Sequence, residues 1–241
     1  MRAGRKALPW GVLVVALLTS THQAFGLVDL QLRPPSQTVR VGNPVNIGLY
    51  AVSDNAGNQP VGQIRAIISW NPAFIEFTGI NNNGPYSWLS SGLPNDSGQD
   101  GLNNDLNDGN LLYECLGQLG NPALATPSGL LVATLQFTGV GTAPSSPVSL
   151  VSQIGSTVTQ VFDNVPPTGM NVTGSLTSNA VQIICLDPAD CNDGNPCTDD
   201  ACVSQQCQNI PNDANNPNDG LFCNGVENFC QGGEIVYLIP P

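Results

Sequence analysis

The sequence predicts an all-β protein: two packed sheets of short strands, followed by a small, disulfide-rich, loop-dominated tail. Three observations carry this expectation. Apolar and polar residues alternate in run after run between residues 44 and 184, the period-2 pattern of half-buried strands. Clusters of Gly, Pro and Asn bound those runs and mark turns. Composition then shifts near residue 184: residues 27–184 hold one cysteine, Cys115, whereas residues 185–241 hold seven cysteines and nine acids without a base.

Residues 1–26 read as a secretory signal peptide. "MRAGRK" supplies Arg2, Arg5 and Lys6, "WGVLVVALL" an apolar run, and "AFG" places Ala24 and Gly26 at the −3 and −1 positions of a cleavage site. The run is shorter than the roughly 20 apolar residues that span a bilayer, so no stable span is expected after cleavage. Cleavage also removes His22 and Lys6, the sole histidine and lysine, and leaves Arg33, Arg40 and Arg65 against all eighteen acids, hence −15 formally. Without His or Lys there is no Ser-His-Asp or Cys-His catalysis, no Schiff base and no His-ligated zinc. The charge argues against nucleic acid and against anionic membranes. Export permits disulfides and places the protein outside the cell, free or on its surface.

The strand signals follow in order. "VNIGLYAV" turns Val45, Ile47, Leu49 and Ala51 to one side, and "QIRAIISW" does the same with Ile64, Ala66, Ile68 and Trp70. "LLVATLQF" groups Leu131, Ala133, Leu135 and Phe137 opposite Val132, Thr134 and Gln136. "PVSLVSQI", "STVTQVF", "NVTGSL" and "AVQII" continue the pattern. One stretch is ambiguous: in "GNLLYECLGQLG", Leu111, Leu112, Cys115 and Leu119 share a helical face, yet the same residues also suit a strand ending in a turn.

These runs resemble a known family. "QTVRVGNPVNIGLYA" is similar to the opening of a cohesin domain, in which a V-x-x-G turn leads into a long strand. "VGQIRAIISWNPAFIEFTGI", with Trp70-Asn71-Pro72 and Ile75-Glu76-Phe77, resembles the next cohesin signature, and "SGLLVATLQFTGVG" the late cohesin strand. The resemblance covers most of residues 28–184. It implies a nine-stranded jelly-roll sandwich, shared by cohesins and several carbohydrate-binding modules. It also implies a dockerin-like protein partner in extracellular polysaccharide use.

In the tail, "CNDGNPC" (Cys191–Cys197) aligns with "PNDGLFC" (Pro217–Cys223), a C-x-D-G-x-x-C repeat with Pro217 in the place of one cysteine. It resembles the Asp-Gly repeats of secreted bacterial surface proteins. No C-x2-C pair occurs, so zinc and thioredoxin spacings are absent. Disulfides among Cys185, Cys191, Cys197, Cys202, Cys207, Cys223 and Cys230 are the default for a segment with so few large apolar residues. Cys115, on an apolar stretch, is expected as a buried free thiol.

Two acidic stretches offer hard oxygen ligands of the kind calcium takes. One holds Asp193, Asn195, Asp199 and Asp200; the other, within the loop Asn95–Tyr113, holds Asn103, Asp105 and Asn107. Neither has EF-hand spacing, and Asx turns between bridges account for the same residues. Tyr86 and Trp88 in "NNNGPYSWLSSGLP" are a candidate sugar-stacking pair or a lid over the core edge. Nothing brings Glu76, Glu114, Glu227 or Glu234 together as the carboxylate pair of a glycosidase, so no enzyme is expected. Asn95 and Asn171 head N-glycosylation sequons that matter only in a eukaryotic pathway.

The expected protein is thus a signal peptide (1–26), a cohesin-like sandwich (27–184) and an acidic cysteine-rich tail (185–241). Its expected role is secreted, non-catalytic binding or assembly, with a protein or a polysaccharide as partner; a calcium-stabilised surface protein is the alternative. Intact mass of secreted material, with and without reductant, should show a chain starting at Leu27 with mostly oxidised tail cysteines. A majority of free thiols would contradict that.

Overall fold

The computed structural model describes residues 26–95, 100–164, 169–215 and 227–238; all but the last residue of the signal peptide lies outside them. The strands, in chain order, are β1 (Val28–Arg33), β2 (Ser36–Arg40), β3 (Pro44–Ser53), β4 (Gln59–Val61), β5 (Gln63–Ser69), β6 (Ile75–Asn81), β7 (Ser90–Gly92), β8 (Asn110–Leu116), β9 (Ala123–Ala125) and β10 (Leu130–Gly139). There follow β11 (Ala143–Val151), β12 (Gln153–Ile154), β13 (Thr157–Val158), β14 (Gln160–Phe162), β15 (Thr173–Thr177), β16 (Asn179–Ile184), β17 (Thr198–Val203), β18 (Gln206–Pro211), β19 (Glu227–Gln231) and β20 (Glu234–Leu238). A single 3-10 turn, Pro188–Cys191, is the one helical element among the described residues.

Two sheets form the sandwich. The first runs β15-β1-β3-β10-β6; the second runs β2-β16-β11-β5-β8-β7, with β14 also on β5. The all-β sandwich with a disulfide-rich end is the expected fold, and the three-residue strands β7 and β14 help carry the tally in the two sheets past nine. Alternation does its work as read: Leu30, Leu32, Ile47, Leu49, Leu135 and Phe137 of the first sheet meet Ile64, Ala66, Ile68, Leu111, Tyr113, Cys115, Val181 and Ile183 of the second, all fully buried. Each such aliphatic or aromatic side chain contributes about 1.5–3 kcal/mol by leaving water. At one end Trp70, Phe77 and Phe137 pack as an aromatic triad, with centroids 5.4–5.7 Å apart.

Two expectations on faces change. Residues 110–116 form β8, because Leu111, Tyr113 and Cys115 alternate into the core while Leu112 is buried on the opposite face. Burial on both faces hides the period-2 signal. In β10 the register shifts between Leu131 and Ala133. Leu131 therefore lies opposite Tyr50 on the outer face, and Val132 joins the core, the reverse of strict alternation. A bulge adds one residue to one strand and exchanges the faces beyond it.

The first and last strands of the sandwich lock it. β1 lies parallel to β15 in the first sheet, and β2 parallel to β16 in the second. The chain changes sheets between β1 and β2 at Pro34-Pro35, where no N–H is available to continue a ladder, and again between β15 and β16 at Ser178. The two crossings meet where the buried Asn179 side chain donates to the Pro34 carbonyl.

Asn179→Ala removes that donor from the crossing and leaves the Pro34 carbonyl without it. It should destabilise the protein by roughly 1–3 kcal/mol, read as a lowered urea midpoint with an unchanged slope. An unchanged midpoint would show that the crossover does not depend on it.

Candidate functional site

The tail is built from three bridges: Cys185–Cys202, Cys191–Cys207 and Cys197–Cys230. They close sequence separations of 17, 16 and 33 residues, and the shorter loops each contribute about 3 kcal/mol in the chain-entropy view. Cys223 lies outside the described residues. β17 and β18 form a hairpin whose turn, Ser204-Gln205, has positive φ at both residues, 52° and 65°. Side chains rarely take this left-handed conformation, and no Asn-Gly announces it. The bridges from Cys202 and Cys207, at either side, hold it in place. The sulfurs of Cys185, Cys191 and Cys207 lie within 4.8 Å of one another, but all three are bridged and offer no thiolate to a metal.

All three bridges are internal to the tail, so something else must dock it. That role falls to Arg40 at the end of β2. Its Nε donates to both carboxylate oxygens of Asp190, at 2.9 and 2.8 Å, and its guanidinium meets Asp187 at 2.6 Å. Asp190 also accepts from the Leu186 N–H at 2.7 Å. Donation from Arg40, then from the Leu186 backbone, holds the Asp190 carboxyl below the usual carboxylate range. The Cys207 N–H donates to Thr142 Oγ1 between β10 and β11, and the Val41 N–H to the Ile184 carbonyl. The tail appears cation-free in sequence, but its counter-charge comes from a sandwich residue about 150 positions away.

The stretch "CNDGNPCTDDAC" is a set of turns and a strand start. Asp193 accepts from the Asn195 N–H, Thr198 Oγ1 and Asn209 Nδ2. The Asn195 amide is divided between the Cys197 N–H and the Gly233 carbonyl. Asp199 accepts from Asn212 and Asn215, both at 2.7 Å. Asp199 and Asp200 are consecutive on β17 and so point to opposite sides. Among the described residues no three carboxylates converge.

The acidic loop is held by hydrogen bonds where it is described. Asn103 donates to the Pro94 and Leu112 carbonyls and accepts from the Leu112 N–H. Asp105 caps the Asn107 N–H. Leu102 seats on Ile67 and Leu112, so the loop covers part of the second sheet's outer face. Asp100, which the sequence did not single out, latches the loop to the β12–β13 hairpin: it accepts from the hydroxyls and N–H groups of Thr157 and Ser156. Those bonds, led by the Thr157 hydroxyl, lower its pKa to about 2.

Tyr86 and Trp88 do lie together, centroids 4.8 Å apart, but edge to face at 70°. Both are half-buried against the core. The Tyr86 hydroxyl donates to the Asn121 carbonyl and accepts from the Gln118 N–H. No coplanar platform results. Glu76 on β6 and Glu114 on β8 belong to different sheets and face outward, so they cannot flank one glycosidic bond. Burial pushes the Cys115 thiol up, and it is free and buried, as read from the sequence.

No family model and no curated protein sequence matches the chain. The chain is similar to solved cohesin modules. One, from a family 33 glycoside hydrolase of Clostridium perfringens, is 14% identical with a TM-score of 0.45, over 66% of this chain and 97% of that one. The seventh ScaB type I cohesin of Pseudobacteroides cellulosolvens is 7% identical with a TM-score of 0.47, over 67% and 95%. A non-cellulosomal cohesin of the archaeon Archaeoglobus fulgidus is 12% identical with a TM-score of 0.41, over 67% and 92%. With scores below 0.5 the likeness adds nothing to the fold, which the strand order already defines.

A carboxyl held below its ordinary pKa stabilises above that ordinary value, about 3.9, and the effect is lost as pH falls through the folded value. Acidification below about pH 4 should therefore loosen the tail, and Arg40→Gln should do so at neutral pH. Amide exchange at Leu186, Asp190 and Cys207 reports it, with β3 and β10 unaffected. Unchanged exchange in the variant would remove Arg40 as the clamp.

Proposed function

We propose that the chain is a secreted, non-catalytic binding and assembly module that takes a dockerin-like protein partner in extracellular polysaccharide use. The observation that carries this is the outer face of the first sheet. Asn46, Thr134, Gln136 and Thr138 stand side by side across β3 and β10, exposed or half-exposed and uncharged. Arg33 lies over the Tyr50 ring at the margin, 4.7 Å from its centroid. A face neutral at its centre, with Arg33 at one margin and Glu76 beside Thr138 at the other, suits another protein surface, since interface centres are depleted of charge. The second sheet's outer face is partly closed by Leu102 and by the hairpin that Asp100 holds. Three disulfides fit an oxidising compartment, and among the described residues no helix is long and apolar enough to cross a membrane.

Asn46→Trp places bulk at the centre of that face on an exposed side chain. It should abolish capture of the extracellular partner from culture supernatant at least about tenfold in affinity, with the melting temperature unchanged. Retained capture would move the interface elsewhere, and binding on a glycan array without any captured protein would favour a carbohydrate-binding module.

A further inference from the structure

The end of the sandwich next to the aromatic triad holds a cleft of about 220 Å³, lined by Trp70, Pro72, Glu76, Phe77, Asn107 and Val140. Four chain segments converge there, Val140 following the end of β10. Trp70 and Pro72 come from the turn after β5, Glu76 and Phe77 from the edge strand β6, and Asn107 from the acidic loop. The Trp70 N–H to Gly109 carbonyl bond, 2.8 Å, fixes the loop against the turn.

The polar groups of this cleft are unspent. Trp70 is 6% exposed, and its indole N–H is buried without a hydrogen-bond partner. Native proteins rarely leave such a donor unmatched. The Asn107 carboxamide is exposed and makes no side-chain bond among the described residues, where its backbone N–H is engaged. The Glu76 carboxylate is exposed on β6, without an ion pair among the described residues. Around them Phe77 is half-buried, Pro72 is exposed and Val140 is 43% exposed. In the Tyr86–Trp88 pair the Tyr86 hydroxyl is fully committed to the backbone, while the Trp88 indole N–H is buried without a partner, as that of Trp70 is.

A donor, a carboxylate and a carboxamide beside an apolar wall ask for a ligand that both gives and accepts hydrogen bonds and has an apolar face. A sugar ring does this: hydroxyls serve either way, and the C–H face packs on an aromatic edge. The carboxylate and the chain's acidity exclude anionic sugars. The indole donor argues against a bare cation. We propose that this cleft is a binding subsite for a single neutral pyranose residue, such as one at the end of an oligosaccharide. This goes beyond the protein-docking reading and does not rest on it.

The test uses the secreted protein and its two indole N–H resonances, Trp70 and Trp88, assigned with the Trp88→Phe variant. Glucose, galactose, mannose, xylose and cellobiose are titrated one at a time, with n-butylammonium as a cationic probe and glucuronate as an anionic one. At least one neutral sugar should shift the Trp70 resonance saturably and leave Trp88 in place. Glu76→Gln and Asn107→Ala should each weaken that binding about tenfold or more, at unchanged melting temperature. Asn46→Trp should leave the titration untouched, and Asn107→Ala, in the loop before β8 and off the β3–β10 face, should leave partner capture untouched, so the two readings fail separately. No saturable shift with any neutral sugar overturns the proposal. So does a shift confined to Trp88, which would return the site to the Tyr86 pair, or saturation by butylammonium or glucuronate alone.

Discussion

The structure depends on the place where the chain changes sheets twice. Asn179 is buried and donates to Pro34, joining a crossing near the start of the sandwich to one near its end. Because both crossings sit side by side, the first two strands lie parallel to the last two, one pair in each sheet. Neither sheet can slide against the other without breaking that bond and shifting a whole strand pair. The constraint also fixes the tail. β2 ends in Arg40 and β16 runs directly into Cys185, so the pair presents the clamp and the first bridge at one corner.

Among the described residues cations are scarce, and each is committed. Arg33 lies on Tyr50 and donates to Gln31 and the Ser128 carbonyl. Arg65 faces Glu114 at 3.7 Å. Arg40 holds Asp187 and Asp190. No described arginine remains for a phosphate backbone. The acids are managed locally instead: Asp100, Asp193 and Asp199 take hydrogen bonds from nearby backbone, hydroxyl and carboxamide groups. Such bonds favour the charged form, which lets an acidic chain fold tightly without cations.

Function follows from what these contacts leave uncovered. The loop carrying Leu102 and the hairpin gripped by Asp100 close part of one outer face. The opposite face keeps a neutral polar surface on β3 and β10. The aromatic triad seals that end of the core, yet leaves the Trp70 indole donor unspent beside Glu76 and Asn107. The same packing that makes Trp70 a core residue makes it the wall of a cleft.

The sequence by itself determined the all-β class, the change of character near residue 184 and most of the core. Those features reside in local periodicity and composition: Ile64, Ala66 and Ile68, or Val181 and Ile183, are placed by their neighbours two residues away. It also determined that Cys115 is a buried thiol and that Asp-Gly stretches turn. Tertiary structure alone decided the rest. β8 is a strand because both its faces are covered, Leu111 by the core and Leu112 by the distant Leu102. The bulge at Leu131 reverses which side chains are buried because β3 dictates the register. The bridge pairings, the partner of Arg40 and the gathering of Trp70, Glu76 and Asn107 all join residues far apart in the chain. Pattern along a strand cannot encode such meetings, because they are set by which strands become neighbours.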